Sequence, residues 1–297
     1  MQAPTATTQP LATGVTVRAA TPEDADDCAR IFYDAFASIA TRHDLPIEPT
    51  SREFTRFVLG QMLANDGVIG LVAERTGEVR GSAFVDERAA IAGVGPVTVA
   101  PEAQDDGVGR TLIEAALRRE RDRGAAGVRL VQTAYHYRSL ALYAKLGFTV
   151  REPLSVLQGT PPALSIPGLG VRPAHEQDLE SCNQLCARVP GHDRNGELRD
   201  AIAAGTAHVV EHPGGICGYA TGSGYGWHAV AETNQHLIAL LASAEAFMGL
   251  GIIVPSRNAE LLRWCLFHGL KLVQQSTLMT IGLYNEPSGA WLPSIVY

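Results

Sequence analysis

Gly107 and Gly109 are the residues whose placement points most directly to chemistry. They flank Val108 after a polar loop, Gln104-Asp105-Asp106, and open an amphipathic segment that continues Arg110-Thr111-Leu112-Ile113. Backbone N–H groups at a helix start have no partner within the helix, and the helix dipole adds partial positive charge there. Such a turn suits a phosphate or diphosphate. Glycine lets a ligand approach the backbone closely. An ordinary turn before a helix has the same local pattern, so the loop alone leaves both readings open. A second constellation, His208-Val-Val-Glu-His212, offers imidazoles four residues apart. Its apolar pair and the Pro213-Gly214-Gly215 turn after it read as a strand, where histidines at that spacing lie too far apart to share one ion. No metal is expected. Cys182 and Cys186 can share a helix face, but with no paired ligands nearby they read as small buried side chains.

Placing the glycine loop requires a strand before it and a helix after it. Val97-Thr98-Val99 is a β-branched run stopped by Pro101, and Gly107 to Arg123 has helical spacing, with Val108, Leu112, Ile113 and Ala116 facing a sheet. Upstream, Val15 to Arg18 alternates as a short strand. Thr21, Pro22 and two acids then read as a helix start, with Ala25, Cys28, Ala29, Phe32 and Phe36 as the buried stripe. A second helix, Ser51 to Ala64, carries Phe54, Phe57, Val58 and Met62 on one side. Val68 to Glu74 and Val79 to Asp86 are strands joined by the hairpin turn Thr76-Gly77-Glu78. Ile91 to Val99 continues this meander, yet it holds Gly93, Gly95 and Pro96. Proline removes a ladder donor and glycine weakens a strand, so this strand should bulge or splay there. Val128 to Gln132 is almost wholly apolar, as a strand covered on both faces should be. A helix from about His136 to Leu146 ends at the C-cap Gly147, and Phe148 begins another strand.

Gln104-x-x-Gly107-x-Gly109 resembles the pyrophosphate loop of the GNAT N-acetyltransferases. Leu140 to Phe148, LALYAKLGF, resembles that family's second signature, a helix ending Leu-Tyr-x-Lys-x-Gly-Phe. Two motifs in the right order are far more specific than either one. The resemblance covers roughly Val15 to Gln158 and is faint beyond. It implies an α/β (α+β) fold, a mixed, mostly antiparallel splayed sheet flanked by helices, and acetyl-CoA as the acyl-donor substrate. On this resemblance the strand backbone of Val97, Thr98 and Val99 holds the thioester arm in the splay. Gln104, Asp106, Gly107, Val108, Gly109, Arg110 and Thr111 take the diphosphate, and Tyr143 protonates the departing thiolate. His136 stands where the family usually has asparagine; imidazole can still donate to a carbonyl or phosphate. The segment between the first two helices, with His43, Asp44 and Glu48, commonly covers the acceptor pocket, although solvated loop residues are the simpler reading. The general base is open among Asp86, Glu87, Glu48, His43 and the Tyr297 carboxylate.

The chain has 297 residues, enough for one large domain or two ordinary ones. Its net charge of −7 gives no basic footprint for nucleic acid. Five scattered cysteines fit reduced thiols in a cytoplasm. No apolar run has transmembrane length, and residues 1–14 read as a disordered leader. After a Pro/Gly-rich linker, 159–170, the opening recurs: Val17-Arg18, Ala20, Asp24 and Cys28 match Val171-Arg172, Ala174, Asp178 and Cys182. The ending recurs too, with Asn258 to Leu270 echoing His136 to Phe148 and Gly269 matching Gly147. This reads as a tandem duplication, 15–158 and 171–297, each half a GNAT-like domain. The second copy has a helix start at Glu232-Thr233 but no Gly-x-Gly, and Cys265 stands in place of Tyr143, so it reads as non-catalytic. The tail Tyr284 to Tyr297, with Trp291, Leu292, Ile295 and Val296, is too apolar to hang free. The resulting expectation is an acetyl-CoA-dependent N-acetyltransferase acting on a small-molecule amine. An aminoglycoside-like antibiotic, an amino acid or a protein lysine also remains open as acceptor. So do a homodimer, a non-catalytic acyl-CoA-binding or regulatory protein, and an interaction module that binds no nucleotide. No nucleic acid or membrane partner is expected.

Overall fold

The computed structural model describes residues 14–44 and 51–297. The proposed leader, Gly14 apart, and Glu48 lie outside them. The chain is α/β, with mixed, mostly antiparallel sheets flanked by helices, and it divides into two compact units. One is Met1–Phe84 with Pro96–Arg119, the other Val85–Gly95 with Glu120–Tyr297.

The first unit begins with β1 (Val15–Ala19) and a 3₁₀ turn, Pro22–Asp24, that leads into α1 (Ala25–Arg42). Asp24 anchors this start. Its carboxylate accepts from both Arg18 terminal nitrogens, at 2.7 and 2.8 Å, and from the Thr21 amide at 2.7 Å. α2 (Arg52–Leu63) is capped by Ser51, whose hydroxyl accepts from the Phe54 amide. β2 (Val68–Arg75) pairs antiparallel with β1, and β3 (Glu78–Asp86) turns back from it; β4 (Ile91–Val99) runs next, its residues up to Gly95 counted in the second unit. α3 (Val108–Arg123) buries Val108, Leu112, Ile113 and Ala116 as the spacing predicts. Two readings need correcting. Phe32 and Phe36 are only half-buried and stack on each other; α1 instead buries Ile31 and Ala40 beside Ala25, Cys28 and Ala29. On α2 the side carrying Phe54, Phe57 and Val58 is exposed, and Thr55 and Leu59 face inward.

The second unit contains two sheets. β5 (Gly127–Thr133), α4 (Tyr137–Lys145) and β6 (Thr149–Gln158) come first. Residues 159–169 have no helix or strand. Then follow β7 (Gly170–Pro173), α5 (Leu179–Arg188), α6 (Asn195–Ala203), β8 (His208–His212), β9 (Gly215–Ala220), β10 (Ala229–Ala231) and α7 (Asn234–Ser243). The last elements are β11 (Ile252–Pro255), α8 (Ala259–Phe267), β12 (Lys271–Gly282) and β13 (Ala290–Leu292). β5 and β6 are not neighbours. β12 lies between them, antiparallel to both, and β11 follows β6. The other sheet is ordered β13-β10-β9-β8-β7. The tail packs down as its composition requires: Trp291 and Leu292 are buried in β13, which pairs with β10, and Tyr297 is buried as well. The start of this half repeats the Arg18–Asp24 arrangement. Arg172 donates to Asp178 at 2.7 and 3.0 Å, and the His175 amide donates to the same carboxylate at 2.8 Å.

Candidate active site

The glycine loop lies wholly in the first unit. Asp105 and Gly107 both adopt left-handed backbone, with φ of 71° and 84°. Left-handed residues in a turn between a strand and a helix are the backbone from which anion-binding nests are built. α3 makes its first backbone bond from the Thr111 amide to the Gly107 carbonyl at 3.0 Å. Helix geometry leaves the amides of Val108, Gly109 and Arg110 without an acceptor inside the helix. Gly81 fixes the helix start: a Cβ there would come within 2.7 Å of the Thr98 carbonyl and 3.1 Å of Val108 and Leu112, so its absence lets α3 lie close on the strands. The side chains of the loop are engaged. Gln104 donates to the Val99 carbonyl at 3.3 Å, Asp106 pairs with Arg75 at 2.6 Å, and the Thr111 hydroxyl donates to the Gly107 carbonyl at 3.1 Å. Thr98 is buried against the Ser82 hydroxyl, while Val97 and Val99 are half-buried.

His136 and Tyr143 belong to the second unit. His136 is the N-cap residue of α4, with its carbonyl accepting from the Ser139 hydroxyl and the Gln132 amide. Tyr143 is buried in the last turn of α4, edge-on to Phe148 at 5.8 Å between ring centres. Burial pushes its phenol up to about 12, so the proton stays on oxygen through the neutral range. In the same unit the splay expected in the Gly93–Pro96 stretch has a definite origin. β4 pairs with β5 only from Ile91–Gly127 to Gly93–Arg129, and the two strands then part. A Cβ on Gly93 would overlap the carbonyl oxygen of Val296, so glycine admits the end of the chain at the fork.

The acetyltransferase (GNAT) domain family matches residues 66–150. Both sequence motifs fall inside this span. Residues 66–150 form a GNAT domain. Two solved structures share the fold over nearly the whole chain. A candidate acetyltransferase from Pyrococcus horikoshii superposes with a TM-score of 0.70 at 20% identity, covering 96% of this chain and 93% of its own. A GCN5-related N-acetyltransferase from Sphaerobacter thermophilus gives 0.62 at 17% identity, over 95% and 100%. No curated protein matches the sequence.

Two of the candidate bases, Asp86 and Glu87, are already engaged. Asp86 accepts from the Arg88 backbone and guanidinium at 2.5–3.0 Å, and Arg88 also holds Asp200 at 2.7 Å. Such a carboxylate is a charge partner before it is a proton acceptor. Glu87 shares a hydrogen bond with Glu120, whose carboxyl is pushed up to about 7 by burial and by that acidic neighbour, with Arg123 opposing. His43 and Asp44 are exposed at the end of α1. Among the described residues no group of three metal-ligating side chains occurs. His208 and His212 bond instead to the Thr206 carbonyl and the Gly214 amide. All five cysteines are free and buried. No described helix is long and apolar enough to cross a membrane.

One residue was overlooked in the sequence. Val128 to Gln132 reads as a buried strand because of Val128, Leu130 and Val131, yet Arg129 among them is itself only 1% exposed. Around it lie Arg194, His192 and the rings of Tyr284 and Tyr297. An arginine inside an otherwise apolar strand is the signal that could have singled it out.

Proposed function

We propose that this chain is an acetyl-CoA-dependent N-acetyltransferase that moves the acyl group to a primary amine by direct attack. The observation that carries the reading is the left-handed Gly107 at the mouth of α3, inside a span matched by the GNAT family. In this reading the amides of Gly107 to Arg110 bind the diphosphate, with Gln104, Asp106 and Thr111 shaping the loop and His136 donating from the α4 N-terminus. The backbone of Val97 to Val99 holds the thioester arm.

The amine must be neutral to attack. An alkylamine with a pKa of about 10 is mostly protonated at neutral pH, so a base or water chain removes one proton first. The nitrogen lone pair then forms the C–N bond, and strand amides stabilise the oxyanion. The C–S bond breaks as the thiolate takes a proton from Tyr143, and the second amine proton, passed through solvent, restores the phenol.

The matching Arg18–Asp24 and Arg172–Asp178 anchors support a duplicated unit whose second copy lost its chemistry. There β10 and α7 are joined by Glu232 and Thr233 alone, and the Thr233 hydroxyl caps the helix itself. Thermal shift with acetyl-CoA tests the cofactor, and no stabilisation at saturating ligand would overturn it. CoA release across an amine panel, in wild type and Tyr143→Phe, separates an enzyme from a non-catalytic binder. Only an enzyme loses turnover while keeping affinity.

A further inference from the structure

Arg129 is a buried cation without a counter-ion. Among the described residues neither its Nε nor its Nη2 has a hydrogen-bond partner. The groups that act on it are Arg194, Tyr284 and Cys186, and no carboxylate is among them. The carboxylate that pairs with Arg194, Glu197, is committed elsewhere. It accepts from Arg194 at 2.8 and 2.7 Å and from His228 Nδ1 at 3.1 Å. His192 and His228 are held neutral by burial and by these arginines, down to about 3 and about 4. Among these side chains, two guanidiniums and one carboxylate leave one positive charge in excess. Desolvating an unpaired guanidinium is costly, and burial pulls Arg129 down to about 10, still charged at neutral pH. Tyrosine faces at 4.6 Å (Tyr297) and 5.3 Å (Tyr284) offset part of that cost. A planar monoanion would offset the rest and fit the guanidinium fork.

The position gives this unpaired guanidinium a use. Arg129 pairs with Gly93 at the last rung before β4 and β5 part. Its cover, Tyr297, belongs to the stretch after β13 that has neither helix nor strand. The Tyr297 side chain bonds through its hydroxyl to His192 Nε2 at 2.9 Å. We propose that Arg129 receives the carboxylate of the acceptor, so that the amine acetylated belongs to an amino acid, and that the Tyr297 ring is the cover displaced when it binds. This deepens the acyl-transfer reading and rests on it.

The test uses the full chain with saturating acetyl-CoA and paired acceptors, each an amino acid and its decarboxylated amine, such as lysine with cadaverine and phenylalanine with phenethylamine. CoA release should favour the acid member of at least one pair by about 10-fold or more in kcat/KM, and Arg129→Met should collapse that ratio toward one. Equal or better use of the amine in every pair, or an unchanged ratio in Arg129→Met, overturns the proposal. Calorimetry supplies a readout free of turnover. N-acetyl amino acids should bind wild type more tightly than their methylamides, Arg129→Lys should weaken this difference, and Tyr297→Ala should strengthen it. Acids and amides binding alike, or a difference that neither variant moves, overturns it too. Should acetyl-CoA give no thermal shift while the acids still bind through Arg129, the acyl-transfer reading falls and the carboxylate site stands. Acetyl-CoA turnover with no carboxylate preference gives the converse.

Discussion

α4 and α8 end in the same way. The amide after the glycine, Phe148 in one and Leu270 in the other, returns to the carbonyl of Tyr143 or Cys265 at 3.0 and 3.1 Å. Gly147 and Gly269 take φ of 97° and 89°, the left-handed conformation that closes a helix C-terminus. Even the N-cap residues agree, His136 and Asn258 having ψ of 72° and 71°. What differs is the side chain placed by this backbone: a phenol in the first case, and in the second a thiol whose proton is held on by burial up to about 12. The starts of α3 and α7 differ more. One is preceded by a curled loop with left-handed Asp105 and Gly107, the other by a two-residue connection closed by its own threonine. Backbone architecture is kept by hydrogen bonds that any sequence with a glycine in place can make. Chemistry depends on single side chains and one loop.

Four measurements would break or sharpen this contrast. The largest effect is expected from replacing Gly107 and Gly109 together with valine. Acetyl-CoA at about 100 times its Kd should stabilise wild type by about 2.7 kcal/mol, and the double variant by none. Undiminished binding would place the nucleotide elsewhere. Next, Tyr143→Phe should lower kcat by about 100-fold or more with acetyl-CoA affinity unchanged, whereas Cys265→Ala should leave kcat alone. Because the phenol is raised to about 12, no falling limb from Tyr143 should enter the pH–rate profile below about pH 11. Third, acid should loosen the second unit first. The buried histidines among the described residues are His192 and His228, both in that unit and both neutral when folded. Unfolded imidazole takes a proton near pH 6.5, so below that pH the unfolded chain binds protons that the folded one does not. Stability must then fall as pH falls, by about 2 kcal/mol per histidine at pH 5. Hydrogen exchange at pH 5 and pH 7.5 should find protection lost around α6 and β9 before β2 and β3. The smallest effect is Thr233→Ala, about 1 kcal/mol of stability with the acetyl-CoA shift intact. Loss of that shift would mean that α7 contributes to the nucleotide site.

The local elements were legible because their signals are local. The glycines of the loop, the hairpin turn between β2 and β3 and the stripe of α3 each fix a turn or a face within a few residues. Coverage is different. Phe54, Phe57 and Val58 share a side of α2 as their spacing requires, but spacing does not say whether anything lies over that side, and here it faces solvent. Arg129 was hidden for the opposite reason. Its neighbours in β5 describe a buried strand correctly, and a charge in that company is visible only once its lack of a partner is. The place of β12 had no local signature either, since partners such as Leu278 and Val131 are joined only through the fold.

That strand has a consequence for how the molecule is made. β5 and β6 leave the ribosome more than a hundred positions before β12, and until it arrives each presents an unpaired edge where a partner is due. A shortened chain ending near Gln158 would keep both edges bare and should self-associate. In the whole protein, assembly waits on a late, long-range pairing, so slow folding and a need for protection during synthesis follow from the position of a single segment.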